Sequence, residues 1–136
     1  VMLELGELVL ATSYAKAQRA RRLVQRGMRA VFESGRLDAL AAPTLPITTK
    51  PVDQLSVDLT GEGETALSAF LHHCFVANVI GIPSLSVPVG FDESRLPVGM
   101  QLFGRPFGEP ALFRIGHAYQ GATQWHEQRP ELAAVV

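Results

Sequence analysis

The sequence has little of several features that would identify a class of protein. Cys74 is its only cysteine, which excludes an internal disulfide and is compatible with the reducing cytoplasm, where we expect the protein to reside. No apolar run is as long as a transmembrane helix requires. Neither sign of charge predominates, because 12 Lys and Arg residues oppose 13 Asp and Glu residues. This balance argues against a nucleic-acid partner and against a membrane partner.

The beginning of the sequence lacks the basic region and the apolar core of a signal peptide. It starts in mid-pattern, without a helix cap or a leading turn, so we expect the chain to be a fragment of a longer protein. Hydrophobic residues make up 47% of the chain and charged residues 18%, which indicates a packed core. A length of 136 residues fits one domain or part of a larger one.

Residues 78–104 carry the clearest pattern in the chain. Two β-rich runs, Ser84–Val89 and Val98–Phe103, flank a charged connection at 90–97, and together they predict an antiparallel hairpin. Upstream, the short apolar run at 38–42 predicts a buried strand that ends at Pro43. Residues 47–64 are polar, with Pro51, Gly61, Gly63 and four acidic residues, which predicts a long surface loop.

Three helices are predicted around the hairpin. Apolar residues recur in steps of three and four from Tyr14 to Glu33, and we expect Thr12 or Ser13 to cap this long helix and Gly35 to end it. A second helix is predicted from Thr65 to Ile80. Its scarcity of charges indicates that it is largely buried.

A closing helix is predicted after the hairpin, with Pro110 in its first turn and with apolar residues continuing to Tyr119. A short helix is also plausible at residues 3–11. From Thr123 onward the chain is expected to pack loosely.

The long helix carries half of the basic residues of the chain. They are Lys16, Arg19, Arg21, Arg22, Arg26 and Arg29. An RNA or phosphate contact surface is one interpretation, and a solvated helix face is the other. Because no aromatic residues alternate with these charges, we favour the solvated face.

No residue pattern indicates a catalyst, a metal or a cofactor. His72, His73 and Cys74 are adjacent, and neighbours on a helix point about 100° apart, so they cannot converge on one ion. Cys74 is better explained as a packed thiol. Ser84 and Ser86 lie in a predicted strand without the Gly-x-Ser-x-Gly turn of a hydrolase nucleophile, so we interpret them as structural.

Several short motifs nevertheless occur in a specific order. They are Asp38-Ala-Leu-Ala-Ala-Pro43-Thr44, Asn78-x-x-Gly81-x-Pro83, Ser86-Val-Pro88-x-Gly90, Leu96-Pro-Val-Gly99-x-Gln101-Leu and Phe107-Gly-Glu109. Through them the chain resembles the C-terminal part of the amidase signature family over about residues 1–130, leaving 131–136 as a tail. The resemblance implies an α/β fold, namely the C-terminal part of a mixed-sheet amidase fold with a β-hairpin and flanking helices.

Members of that family cleave carboxamide bonds with a Ser-cisSer-Lys triad. The lysine and the Gly/Ser-rich signature of the family lie N-terminal to the region that this chain resembles, and neither Lys16 nor Lys50 matches the catalytic position. The resemblance therefore implies no catalytic residue here, an inactive chain, and a missing N-terminal catalytic part as its partner. It implies a small-molecule amide as the substrate of the full-length enzyme.

The resemblance also suggests where substrate would bind. The A subunits of tRNA-dependent amidotransferases, which use glutamine, place an aspartate seven residues before the asparagine of the Asn78 motif, where it can pair with the ammonium group of the substrate. Leu71 occupies that position here. An apolar side chain cannot offset a buried charge, so a neutral or apolar amide is favoured. Leu71 and Phe75 are the predicted substrate-binding residues, with core packing as the alternative for Phe75.

Two other functions stay open at this stage. The chain could belong to the A subunit of a glutamine-dependent tRNA amidotransferase, or it could be a non-catalytic scaffold module. Open strand edges in a truncated sheet would favour self-association, including a homodimer.

Overall fold

A computed structural model describes residues 6–51, 53, 56–57 and 64–129 of the chain. In chain order the elements are α1 (Ala11–Ser34), β1 (Ala39–Pro43), β2 (Ser56–Val57), β3 (Glu64–Thr65), α2 (Ala66–Ile80), β4 (Ser84–Phe91), β5 (Pro97–Gly104), α3 (Glu109–Ala122) and a 3-10 helix (Trp125–Glu127). The predicted hairpin and its flanking helices are confirmed. No helix within the described residues is both long enough and apolar enough to cross a membrane.

The main sheet has three antiparallel strands in the order β1–β5–β4. One face packs against α1 and α2 through a core of Ala77, Ile80, Ile82 and Phe103, with Met28, Leu40, Ala42 and Val76 around it. The other face contacts α3, where a Cβ on Gly116 would lie 2.8 Å from Leu85 Cδ2. The absence of a side chain at Gly116 therefore lets α3 lie close against β4.

The strand predicted at 38–42 forms as β1, but the prediction that it is buried is wrong. β1 is an edge strand of the described sheet, and Ala41 and Pro43 are exposed. Pro43 can end this strand because an edge position does not require its missing N–H donor.

The second helix is also correctly located but less buried than predicted. Its inner face supplies Ala77 and Ile80, which are 6% and 3% exposed. Leu71 and Phe75 on the outer face are 51% and 61% exposed. The low charge of α2 thus reflects two apolar faces, of which the described residues cover only one.

Gly35 ends α1 as predicted, but Thr12 and Ser13 do not cap it. The helix begins three residues earlier than a Ser13 cap requires, with Leu10 as an N-cap that makes no side-chain hydrogen bond. Ser13 N–H donates to Leu10 O over 2.9 Å, so it lies within the first turn. Nothing in Ala11-Thr12-Ser13 breaks a helix, and the hydroxyl residues are incorporated into it.

Contrary to the interpretation that we favoured from the sequence, the basic face of α1 is not simply solvated, because Arg21 contacts α2. Arg21 Nε donates to Val79 O at 2.5 Å, and Gln25 Nε2 donates to Ile80 O at 2.6 Å. The two donors satisfy carbonyls in the last turn of α2, where a positive charge is also favoured by the helix dipole. Part of the basic face therefore joins α1 to α2.

Arg36, which follows Gly35, adopts a left-handed backbone conformation that is unfavourable for a residue with a side chain. Arg36 has φ of +49°, and its N–H donates to Glu33 O while Leu37 N–H donates to Phe32 O. This pair of hydrogen bonds closes a helix end in which glycine is the preferred residue at the position of Arg36.

We expect Arg36→Gly to stabilise the chain by about 1 kcal/mol, because glycine removes the steric cost of a left-handed backbone. The urea midpoint of unfolding measures the change. Arg22→Gly in the middle of α1 is the control and should lower the midpoint, since glycine weakens a helix interior. An unchanged or lower midpoint for Arg36→Gly would contradict this account of the helix end.

Residues 47–64 were predicted as a loop, and part of this segment instead forms a short strand pair. β2 and β3 are antiparallel, with Ser56 opposite Thr65 and Val57 opposite Glu64. Residues 52, 54–55 and 58–63 lie outside the described residues. The β2–β3 pair leads directly into α2.

The C-terminal end is more ordered than predicted as far as the structure describes it. Trp125 contacts Phe91 of β4, with ring centroids 6.0 Å apart and ring planes at 72°. Thr123 Oγ1 donates to Tyr119 O over 2.9 Å. The prediction of loose packing is therefore wrong for Thr123 and Trp125, whereas residues 127–129 are exposed. The predicted tail at 131–136 and residues 3–5 of the helix predicted at 3–11 lie outside the described residues, whereas residues 6–7 of that helix are helical and residues 8–10 are not.

Candidate substrate-pocket wall

The outer face of α2 carries the two predicted substrate-binding residues. Leu71, Phe75 and Asn78 are spaced by four and three positions, which places them on one side of the helix. All three are exposed. The structure thus brings Leu71 and Phe75 together on an open apolar surface, with the first residue of the Asn78 motif beside them.

The inner side of α2 holds the end of β1. His73 Nδ1–H donates to Pro43 O over 2.9 Å, and the Cys74 thiol donates to Thr44 O over 3.7 Å. Two successive residues of α2 therefore satisfy two successive carbonyls of the Pro43-Thr44 segment. This explains both side chains without a metal, and no three metal-ligating side chains converge among the described residues.

Thr44 is fixed by further contacts to the hairpin. Its N–H donates to Gly99 O over 2.9 Å, and its Oγ1 lies 2.7 Å from Ser86 Oγ. A Cβ on Gly99 would lie 2.8 Å from Thr44 Oγ1, so only glycine leaves room for this hydroxyl. The segment that follows β1 is thereby held against α2, β4 and β5 at once.

A hollow of about 490 Å³ opens beside this segment. It is lined by residues 43–49, His73 and residues 97–99. Its size is within the range of small-molecule sites, and its lining combines apolar side chains with threonine hydroxyls. Leu71 and Phe75 do not line it, because they project from the opposite side of α2.

The hydroxyl groups near the hollow have hydrogen-bond partners that are not bases. Ser86 pairs with Thr44, and Ser84 Oγ accepts from Gln101 Nε2 over 2.5 Å. In the part of the chain that the structure describes, neither serine hydroxyl is hydrogen-bonded to a histidine or a lysine. This arrangement does not activate a serine for nucleophilic attack.

The sequence indicated some of these groups without showing that they meet. The Pro43-Thr44 and Ser86 motifs are both recognisable, yet 42 residues separate Thr44 from Ser86. His73 was considered as a metal ligand or a buried hydrogen-bonded histidine, but its hydrogen-bond partner was not identified. Its contact with Pro43 spans 30 residues and has no local sequence signal.

The surface of the chain is large for its mass. The accessible surface is 10554 Å², whereas a compact monomer of this mass exposes about 6,900 Å². Exposed apolar side chains contribute to the difference, including Leu10 at the N-cap of α1, Tyr14 and Leu23 on α1, and Leu71 and Phe75 on α2. Burying such apolar side chains against further structure would be favourable.

Comparison with known proteins shows what this architecture is similar to. The sequence model of the family described as Amidase matches residues 1–113. An amidase of Pseudomonas putida is 40% identical over 97% of the chain, and the A subunit of the glutamyl-tRNA(Gln) amidotransferase of Chloroflexus aurantiacus is 45% identical over 88%. A crystal structure of an amidase superposes on 88% of the chain with a TM-score of 0.78 and 22% sequence identity, which shows the shared fold.

The similarity covers only part of each of these proteins. The chain spans 28% of the Pseudomonas putida relative, 23% of the Chloroflexus aurantiacus relative and 27% of the amidase of known structure. About a quarter of the length of each relative is thus represented here.

Proposed function

The chain belongs to the amidase family, and on that premise we propose that it is the C-terminal portion of an amidohydrolase that cleaves carboxamide bonds. The observation that carries this proposal is the match of residues 1–113 to the family in a chain that spans about a quarter of its relatives. The Ser-cisSer-Lys triad would lie in the remainder of the enzyme. The chain alone is then inactive, and it contributes scaffold and part of the wall of the substrate pocket.

The outer face of α2 is the part of that wall that we assign to substrate. Leu71 and Phe75 are more than half exposed although both are apolar, and burying them would be favourable at about 25 cal/mol per Å². In the full-length enzyme this face would border the catalytic part, with an apolar substrate between them. His73 and Thr44 would hold the neighbouring 43–49 segment in place.

The side chain at position 71 determines the substrate class that we propose. A leucine offers neither charge nor hydrogen bonds to an ammonium group, and leaving that group unpaired in a closed site is unfavourable. The proposed substrate is therefore a small amide without a free ammonium group, such as an aliphatic or aromatic carboxamide. Its carbonyl would be attacked by the serine of the missing part.

A second candidate function rests on the sequence similarity to amidotransferase subunits. The Chloroflexus aurantiacus relative is 45% identical, slightly more than the Pseudomonas putida amidase, although over a shorter stretch. On this alternative the full-length protein would be the A subunit of a glutamine-dependent tRNA amidotransferase. Leu71 argues against it for the reason given above.

The two candidates differ in their substrates, so an assay on the full-length polypeptide separates them. Hexanamide and benzamide should be hydrolysed faster than glutamine, by a factor of about ten or more, because the site lacks a partner for the ammonium group. Ammonia release measures all three reactions. Glutaminase activity that exceeds hexanamide hydrolysis, particularly with added amidotransferase partner subunits, would favour the alternative.

A further inference from the structure

A second hollow lies at the loop end of the hairpin, on elements that the proposed function does not use. Its volume is about 840 Å³. We call it the guanidinium–aromatic cavity, and its lining residues are Pro88, Gly90, Phe91, Arg95, Leu96, Pro97, Trp125, His126, Gln128 and Arg129. The volume is sufficient for a small organic ligand.

Two aromatic rings form the apolar part of this cavity. Phe91 and Trp125 meet edge to face with centroids 6.0 Å apart, and they are 38% and 39% exposed. The edge-to-face arrangement is a favoured geometry for an aromatic pair. It fixes both rings while leaving more than a third of each residue accessible to a ligand.

A guanidinium group is held above one of these rings. Arg95 Cζ lies 5.6 Å from the centroid of Phe91, and this guanidinium makes no hydrogen bond or ion pair with any residue that the structure describes. The backbone of the loop is positioned by Asp92, whose Oδ1 accepts from Ser94 N–H and Leu96 N–H over 2.9 and 2.8 Å. Arg95 adopts φ of +60°, a conformation that costs a non-glycine residue free energy. Because the Arg95 guanidinium has no partner among the described residues, its N–H donors are available to a ligand.

The opposite side of the cavity adds a second cation. Arg129 Nη1 donates to His126 O and Gln128 O over 2.8 and 3.0 Å, which fixes its guanidinium close to the 3-10 helix. His126 Nδ1 is buried and has no hydrogen-bond partner among the described residues.

Asp92 and Glu127, which adjoin lining residues in the sequence, both contact other groups of the chain. None of the described residues that line it is a carboxylate. Asp92 accepts hydrogen bonds from the loop amides, and Glu127 Oε1 lies 3.9 Å from His126 Nε2. The lining thus carries two fixed positive charges with no negative charge of its own.

We propose that the guanidinium–aromatic cavity binds a small aromatic carboxylate. A guanidinium matches the two oxygens of a carboxylate in a fork-shaped pair of hydrogen bonds, and an aromatic ring can stack on Phe91 or Trp125. An aliphatic anion would lack the ring contacts, and a neutral aromatic would lack the ion pair. The ligand is therefore recognised by both properties together.

Trp125 is the only tryptophan of the chain, so its fluorescence reports directly on this cavity. We expect benzoate to change the fluorescence of the full 136-residue chain with a saturating curve. Benzamide, which has the same shape without the charge, and acetate, which lacks the ring, should bind at least about tenfold more weakly. Raising the salt concentration should weaken the binding of benzoate.

Arg95→Gln should raise the dissociation constant for benzoate about tenfold or more. Arg114→Gln, the same change at an exposed position of α3, is the control and should leave it unchanged. Far-UV circular dichroism of both variants checks that the fold is kept. The proposal is overturned if benzoate gives no saturable change, if benzamide binds equally well, or if the two variants bind alike. None of these outcomes depends on amidase activity, so they leave the proposed function untouched.

Discussion

Phe103→Ala is expected to lower the free energy of unfolding of the chain by about 3–5 kcal/mol, the usual cost of removing a buried phenylalanine. Phe103 is 7% exposed and packs with Ala77, Ile80 and Ile82 between the sheet and α2. Total stabilities of small domains are about 5–15 kcal/mol. A loss of about 3–5 kcal/mol is a large part of such a total, so this single change should leave little of the stability of the chain.

Phe113→Ala is the matched control for that experiment. Phe113 lies on α3 and is 63% exposed, so the same truncation there removes little buried area and should change the stability by less than about 0.5 kcal/mol. Urea unfolding followed by circular dichroism gives both values. Equal losses for the two variants would show that the core is not centred on the interface between β5 and α2.

Leu71→Asp is expected to change the substrate preference of the full-length enzyme. A carboxylate on the outer face of α2 would give the ammonium group of glutamine a partner, while it would disfavour an apolar acyl group. The ratio of kcat/KM for glutamine to that for hexanamide should rise at least about tenfold. Because Leu71 is half exposed in the chain, the substitution should leave the fold of this region intact.

Leu71→Asn separates the charge from the change in shape. Asparagine has nearly the size of aspartate but no charge, so it should lower the activity on hexanamide without increasing the activity on glutamine. Kinetics of ammonia release for the two variants and the parent enzyme decide the matter. If both variants change the ratio equally, residue 71 does not contact the ammonium-bearing end of the substrate.

Locally coded features of the fold could be predicted from the sequence. The hairpin follows from glycine and proline residues around two β-rich runs, and α3 begins where Pro110 allows a first helical turn. The end of α1 at Gly35 is equally local. In each case the residues that determine the element lie within it or directly beside it.

Burial could not be predicted in the same way. The scarcity of charge in α2 reflects two apolar faces, but whether Phe75 is covered depends on which structure lies against it. The run at 38–42 was expected to be buried because it is apolar, and its edge position in the described sheet leaves Ala41 exposed. A chain that contains a quarter of a larger domain would produce both errors.

Contacts between distant residues were also beyond local reasoning. Arg21 lies 58 residues from Val79, and its role at the end of α2 depends on how α1 crosses that helix. The pairing of Thr44 with Ser86 likewise depends on the sheet register. The family motifs led to the proposed substrate-pocket wall, but the hydrogen bonds that hold the Pro43-Thr44 segment are visible only in the structure.

The measurement that most directly tests the account is the amide hydrolysis of the two parts of the enzyme, produced separately and then mixed. We predict that the 136-residue chain alone releases no ammonia from hexanamide or benzamide, and that the remaining part alone is inactive or nearly so. Mixing the two should restore hydrolysis, because the open faces of α1 and α2 bind the remaining part and complete the pocket. Hydrolysis by the chain alone, or full activity of the remaining part without it, would contradict the account.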